Sequence, residues 1–226
     1  MKRTVFICIN GIRSNPSDPR GWTDAFVTSL NIDTPEWVQA EKFEYYTSAV
    51  FRWIGQRKRA EDLVFLINTY LNAGYRVVLI GHSNGADLIA RAFKMGVRVD
   101  SIHLFAAAAD EKDFVSAIEN KLVQRVHLYG SADDAALKTA SLTRRLLGLF
   151  GLGYGSLGLD GSTLANKYPS VVKDHSMKGY GHSTWFQIEG GYYKGTMALL
   201  MANERSDRVA VASEARSLEE TSEHTP

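Results

Sequence analysis

A serine lies between two glycines in the segment GHSNG, which spans residues 81–85. The apolar run 77–80 precedes this segment, and residues 86–92 follow it with a helix-like pattern. A G-x-S-x-G sequence between a strand and a helix is typical of a sharp turn that exposes a serine nucleophile. Five matching residues alone occur often by chance, but the flanking elements favour Ser83 as a nucleophile over a purely structural turn.

A serine hydroxyl is a poor nucleophile without a base, and the base in turn needs an acid to orient it. Two acids, Asp133 and Asp134, follow the apolar segment 125–129, and His182 lies further along the chain after Gly181. The order serine, aspartate, histidine is the order found in one large class of serine hydrolases. The amide N–H of Asn84, at the predicted helix start, is placed to bind developing negative charge.

The other histidines have simpler interpretations. His82 is inside the turn and is expected to make a local hydrogen bond, whereas His103 and His127 fall in predicted strands and are expected to be packed. His175 is the alternative to His182 as the base, and the Gly-His-Ser setting favours His182.

Alternating apolar segments and helical patterns predict an α/β fold in a single domain. Strands linked by helices imply a mainly parallel sheet with helices on both faces. The predicted strands are 4–9, 43–47, 76–80, 101–107 and 125–129, and the predicted helices are about 21–31, 58–73, 87–94 and 113–121.

Four segments carry a resemblance to a known family: INGIRSN, GHSNG, YGSADDAAL and GHSTWF. Over roughly residues 3–200 the chain resembles a compact α/β-hydrolase of the lipase–esterase type, without a large cap domain. The resemblance implies ester hydrolysis through an acyl-enzyme, with the N–H groups of Ile12 and Asn84 forming the oxyanion hole. Many members have a histidine where this chain has Asn10.

The resemblance also bears on the choice of acid. YGSADDAAL is similar to the pattern Y-x-S-x-x-D-x-A-L of an uncharacterised microbial branch, which implies Asp134. Other lipases place the acid three residues after the strand-end glycine, which implies Asp133. We favour Asp134 and retain Asp133 as the alternative.

The predicted function is therefore the hydrolysis of a small carboxylic ester by Ser83, Asp134 and His182, with no metal or other cofactor. Thioester or amide hydrolysis by the same residues is an alternative. A non-catalytic binding protein on a hydrolase scaffold and a lipid-interacting role for residues 146–159 are further alternatives. No metal-binding or phosphate-binding motif points elsewhere.

Charge and composition limit the other possibilities. The 226 residues carry a net charge of +1, which gives no reason to expect a nucleic-acid partner. No signal peptide or stable membrane insertion is indicated, so a cytoplasmic location is expected. The single cysteine, Cys8, lies in an apolar run and is expected to be buried.

Two segments are harder to interpret. The leucine- and glycine-rich stretch 141–168 predicts either a packed loop or a mobile apolar flap beside the substrate. From residue 203 the sequence is polar and lacks aromatic residues. This indicates a hydrolase domain at 1–202 and, at 203–226, a disordered tail or a loosely attached helix followed by one. The oligomeric state stays open.

Overall fold

A computed structural model describes residues 2–11, 22–45, 55–139, 155, 157–159 and 162–222. The described strands are β1 (Thr4–Ile9), β2 (Val38–Phe43), β3 (Arg76–His82), β4 (Val99–Phe105), β5 (Val123–Tyr129) and β6 (Val172–Asp174). The helices are α1 (Trp22–Asp33), α2 (Gln56–Asn72), α3 (Gly85–Lys94), α4 (Lys112–Glu119), α5 (Thr163–Lys167) and α6 (Tyr192–Ser222). Short 3₁₀ helices lie at Thr184–Phe186 and Glu189–Gly191, and residues 135–139 are helical.

The strands form one six-stranded sheet in the order β2-β1-β3-β4-β5-β6, and every pairing is parallel. The predicted α/β fold with a mainly parallel sheet is therefore confirmed. Because all carboxyl ends of parallel strands lie at one edge, the residues that follow β1, β3, β4 and β5 meet there. Within the described ranges, no inserted domain covers that edge.

The central strands are buried on both faces, as their continuous apolar runs predict. On one face Ile7, Leu79 and Leu104 pack with residues of α2, α3 and α4. On the other face Phe6 and Phe105 pack with α1 and α6. The fully buried Cys8 belongs to this second face, and burial raises the pKa of its thiol, as expected for an inert side chain.

The second strand was predicted in the wrong place. The prediction put it at 43–47, but β2 spans Val38–Phe43. Buried Val38 and Ala40 alternate with the exposed Gln39, because β2 is an edge strand with one polar face. Such a strand has no continuous apolar run, so the search for apolar runs missed its first residues.

The C-terminal segment, expected to be a disordered tail or a loosely attached helix, is helical and packs against the sheet. Helix α6 continues to Ser222, so the expected boundary at 202 falls inside it. Glu204 and Asp207 are almost completely buried against the sheet. No helix within the described residues is both long and apolar enough to cross a membrane.

Polar side chains on the strands explain why α6 can bury carboxylates. Glu204 Oε1 accepts hydrogen bonds from Ser101 Oγ at 2.5 Å and His103 Nε2 at 2.9 Å, and Glu204 Oε2 pairs with Arg76. Burial opposes ionisation of Glu204, but the hydrogen bond from His103 and the nearby charges outweigh it, so the pKa of Glu204 lies far below its ordinary range. The charged helix face is therefore matched by a polar patch on β3 and β4.

A second set of contacts repeats this arrangement one turn later. Asp207 Oδ2 accepts a hydrogen bond from His127 Nε2 at 2.8 Å, and Asp207 Oδ1 accepts one from Lys173 at 2.9 Å. The His103 and His127 rings stack with centroids 4.5 Å apart. Adjacent strands β4 and β5 thus present both histidines to the same helix.

Part of the stretch 141–168 is described. Leu157 and Leu159 are buried, and Gly158 N donates to Ala107 O at 3.0 Å while Gly158 O accepts from Ser131 N at 2.9 Å. These residues pack across the ends of β4 and β5. Residues 141–154, which are half of the predicted flap, lie outside the described residues, as do residues 156, 160 and 161.

The Glu204 contacts predict a large effect of a small substitution. Glu204→Gln keeps the shape but removes the charge that Arg76 and His103 face, so the free energy of unfolding should fall by about 2–4 kcal/mol. Arg205→Gln, at the neighbouring exposed position, should change it by less than about 0.5 kcal/mol. Urea denaturation measures both, and similar effects for the two variants would contradict the assigned network.

Candidate active site

Ser83 lies at the turn between β3 and α3 in a strained backbone conformation. Its φ is 53°, in the left-handed region that non-glycine residues seldom adopt. Ser83 N donates to Phe105 O at 3.0 Å, and Ser83 O accepts from Ala86 N and Ala108 N, each at 3.1 Å. These hydrogen bonds fix the turn to the end of β4 and hold the strained residue in place.

Two glycines allow the backbone to approach Ser83 closely. A Cβ atom on Gly85 would lie 2.6 Å from Ile9 O, so only glycine lets α3 begin against the end of β1. A Cβ atom on Gly11 would lie 2.9 Å from Ser83 Cβ. The loop after β1 therefore passes directly beside the serine.

Asp134 contacts His182 through one carboxylate oxygen and caps a helical turn through the other. His182 Nδ1 lies 2.8 Å from Asp134 Oδ2, and Leu137 N donates to Asp134 Oδ1 at 2.9 Å. The side chain of Asp134 is almost fully buried, whereas that of His182 is partly exposed. Both carboxylate oxygens are used, so the acid is held rigidly as it accepts the Nδ1 proton of His182.

Asp133 makes a different contact. Its carboxylate is exposed and accepts a hydrogen bond from Gly179 N at 2.8 Å. Asp133 therefore holds the loop that leads to His182, while Asp134 faces the imidazole itself.

Buried aromatic residues after His182 anchor its loop. Gly181 N donates to Thr184 Oγ1 at 2.9 Å, which closes a tight turn around the histidine. The next residue, Trp185, is buried, and its carbonyl accepts a hydrogen bond from Thr196 Oγ1 of α6 at 2.6 Å. The long C-terminal helix thus helps to position the histidine.

His82, within the turn, also contacts the histidine loop. His82 Nε2 lies 2.9 Å from the carbonyl oxygen of His182, so this nitrogen must carry the proton and donate it. Burial, with a smaller contribution from the nearby His182, lowers the pKa of His82 to about 4. His82 is therefore uncharged at neutral pH, and its hydrogen bond connects the serine turn to the loop that carries His182.

Tyr45 connects the loop after β1 with the start of α3. Its hydroxyl donates to Asn10 O at 2.5 Å, and Asn84 Nδ2 lies 3.5 Å from the same oxygen. Burial raises the pKa of Tyr45 to about 12, which keeps the hydroxyl protonated as a donor. Asn10, where a histidine was expected from the resemblance, donates to Thr23 of α1 at 3.2 Å. Ile12, the other predicted oxyanion donor, lies outside the described residues.

His175 lies in the contact network of α6. His175 Nε2 lies 3.0 Å from His127 Nδ1. Burial, with a smaller contribution from the neighbouring His127, lowers the pKa of His175 to about 4. The structure thus brings Asp134 to His182 and places His175 beside His127 instead. His103 and His127 are both fully buried, as predicted.

Ser83, Asp134 and His182 lie on loops at the same edge of the sheet. Within the described part of the chain, no hydrogen bond joins Ser83 Oγ to His182. Such contacts often form only with substrate bound. In the same residues, no three His, Cys, Asp or Glu side chains are placed to hold a metal ion.

Comparison with solved structures identifies the fold. Esterase 2 from Thermogutta terrifontis matches with a TM-score of 0.55 and 12% identity, over 92% of this chain and 82% of that one. TT1662 from Thermus thermophilus matches with a TM-score of 0.57 and 10% identity, over 89% of each chain. The chain has an esterase-like α/β-hydrolase fold.

A third match is an uncharacterised protein from Bacillus cereus, with a TM-score of 0.57 and 12% identity, over 90% of this chain and 61% of that one. No protein-family model matches this chain, and no curated protein does so. At these identities the comparisons establish the α/β-hydrolase fold alone, so the roles of individual residues depend on the geometry described above.

Two residues of this candidate site, Tyr45 and His82, were not predicted from the sequence. Tyr45 was assigned to a strand, and His82 was expected to bond locally rather than to a residue 100 positions away. His82 occupies a variable position of the G-x-S-x-G motif and Tyr45 belongs to no motif, so no sequence signal could have found their partners. Both contacts depend on loops that meet only in the folded chain.

The neutral state of His82 predicts a pH dependence of stability. An unfolded histidine binds a proton near pH 6.5, but folded His82 does so only near pH 4. Between these values the unfolded state binds more protons, so stability falls as the pH is lowered. His82→Gln removes this contribution. As the pH is lowered, the unfolding free energy of the variant should therefore decrease less steeply than that of the wild type. The two slopes should differ by up to about 1.4 kcal/mol per pH unit. Equal slopes in urea denaturation between pH 6.5 and 4.5 would contradict the shift.

Proposed function

We propose that the protein is a serine hydrolase that cleaves carboxylic esters through an acyl-enzyme. The observation that carries this proposal is the 2.8 Å contact between Asp134 Oδ2 and His182 Nδ1, at the sheet edge where Ser83 occupies a strained turn. A buried acid that accepts the Nδ1 proton leaves Nε2 of the imidazole free to act as a base. The roles follow from that tautomer.

In the proposed reaction, His182 Nε2 takes the proton from Ser83 Oγ as the oxygen attacks the ester carbonyl. The N–H groups of Asn84 and Ile12 stabilise the resulting oxyanion. The C–O bond to the alcohol then breaks, and His182 gives its proton to the departing oxygen. Water, deprotonated by the same histidine, attacks the acyl-serine and releases the acid.

Contacts around the three residues support this reaction. Asp134 stabilises the imidazolium that forms, and its burial strengthens that interaction. His82, as a neutral donor to His182 O, fixes the base loop relative to the turn that carries the nucleophile. We therefore assign His82 and Tyr45 as positioning residues and Ser83, Asp134 and His182 as the catalytic residues.

The neighbouring structures favour esters over the other acyl compounds. Structures of the Thermogutta esterase are described with propionate and with butyrate bound, and one as phosphonylated by sarin. A fold similar to that of an esterase, together with Ser83 at its strained turn, supports a small acyl ester as the substrate. No observation favours a thioester, an amide or a purely binding role, and a small-molecule ester remains the proposed substrate of a cytoplasmic enzyme.

Hydrolysis of a short p-nitrophenyl ester tests the assignment. Ser83→Ala should lose essentially all turnover, and Asp134→Asn should lower kcat about 10³–10⁴-fold because the wrong imidazole tautomer is stabilised.

Asp133→Asn is the matched control, since its carboxylate bonds to Gly179 N. It should lower kcat by less than about 10-fold. Equal, small effects of the two aspartate variants would show that Asp134 is not the acid. Undiminished turnover by Ser83→Ala would rule out the proposed nucleophile.

A further inference from the structure

A pocket of about 500 Å³ lies between α1 and the loop that follows His182. Its described lining comes from three parts of the chain: helix α1, the serine turn and residues 183–188. The lining side chains are Trp22, Ala25, His82, Ser183, Phe186, Gln187 and Ile188. This size is typical of a site for a small organic group.

The pocket adjoins the residues assigned to catalysis. Its lining includes His82, which precedes Ser83 in the chain and donates to His182 O. Ser183, also in the lining, directly follows His182. A substrate whose carbonyl lies at Ser83 can therefore place one of its substituents in this pocket.

Aromatic rings form one wall. Trp22 and Phe186 stack with centroids 3.8 Å apart and an interplanar angle of 22°. His82 meets both rings edge-on, at 6.0 Å from Trp22 and 5.5 Å from Phe186. Ile188 adds an aliphatic side chain that is 73% exposed. Such a wall favours the binding of apolar groups, because contact between two apolar surfaces removes both from water.

The described lining carries no formal charge at neutral pH. His82 is neutral there because burial lowers its pKa to about 4, and the remaining six side chains do not ionise in that range. A carboxylate or ammonium group bound in this pocket would lose hydration without gaining an opposite charge. The described lining therefore favours uncharged substituents over charged ones of similar size.

We propose that this pocket binds an uncharged, apolar substituent of the ester and selects against substrates that carry a charge at that position. The proposal rests on the proposed ester hydrolysis and specifies its substrate class. The substituent can belong to the acyl part or to the alcohol part of the ester, and the two arms of the test separate these cases.

Matched pairs of esters test the proposal. In the acyl arm, p-nitrophenyl pentanoate is compared with the p-nitrophenyl monoester of glutaric acid. In the alcohol arm, pentyl acetate is compared with the acetate ester of γ-hydroxybutyrate. The neutral member should be preferred about 100-fold in kcat/KM in the arm whose substituent occupies the pocket, since burying an unpaired charge is unfavourable.

Two variants alter the pocket in different ways. Gln187→Lys introduces a positive charge at an exposed lining position. In the arm that shows the preference, it should reduce the kcat/KM ratio of the neutral ester to the carboxylate ester about 10-fold. Ala25→Phe fills space and should lower kcat/KM for the pentyl or pentanoyl substrate relative to an acetyl or methyl one by about 10-fold. Thr28→Phe, at an exposed position on α1 outside the described lining, should leave both ratios unchanged.

The outcomes separate the two proposals. Turnover of p-nitrophenyl acetate that requires Ser83, but with no charge preference in either arm, would overturn the pocket assignment and leave the proposed function intact. Unchanged ratios in both Gln187→Lys and Ala25→Phe would overturn it as well. Absence of any Ser83-dependent turnover would overturn the proposed function, and the pocket assignment with it.

Discussion

The hydrogen bond between Asp134 and His182 is the interaction on which the arrangement of the site depends. It joins two loops that are 48 residues apart in sequence, and it uses an acid whose second oxygen already caps a helical turn. The parallel sheet makes this possible, because it brings the carboxyl ends of β3, β4 and β5 to one edge. Each loop is then fixed by hydrogen bonds to other loops or to the sheet, and most of these are at least partly buried.

Helix α6 contributes to this site from a distance. Glu204 and Asp207 attach the helix to β3, β4 and β5 through buried hydrogen bonds. The same helix donates from Thr196 to the carbonyl of Trp185, three residues after His182. A polar patch on the sheet therefore fixes the helix, and the helix in turn helps to fix the loop of the proposed base.

The amino-acid sequence predicted the central strands and the serine turn because continuous apolar runs and a G-x-S-x-G motif are local signals. The firm attachment of helix α6 beyond residue 202 was not predicted, because its buried residues there include the carboxylates Glu204 and Asp207, which composition assigns to solvent. Their partners, such as His103, were themselves read as ordinary packed residues. The choice between Asp133 and Asp134 depended on a family resemblance, since both follow the same strand.

Other features of the site have no local signal. The contact of His82 with His182 spans 100 residues, and that of Tyr45 with Asn10 spans 35. The stack of Trp22 on Phe186, which forms the pocket wall, joins α1 to the C-terminal third of the chain. These contacts arise only when distant loops are brought together, so no window of sequence contains both partners.

The central claim is that Ser83 is an activated nucleophile, and covalent labelling tests it most directly. The protein is incubated with a fluorophosphonate, and the modified peptide is located by mass spectrometry beside a known serine hydrolase as a positive control. The account predicts one adduct on Ser83 and slower labelling of Asp134→Asn. An adduct elsewhere, or none while the control hydrolase reacts, would contradict it.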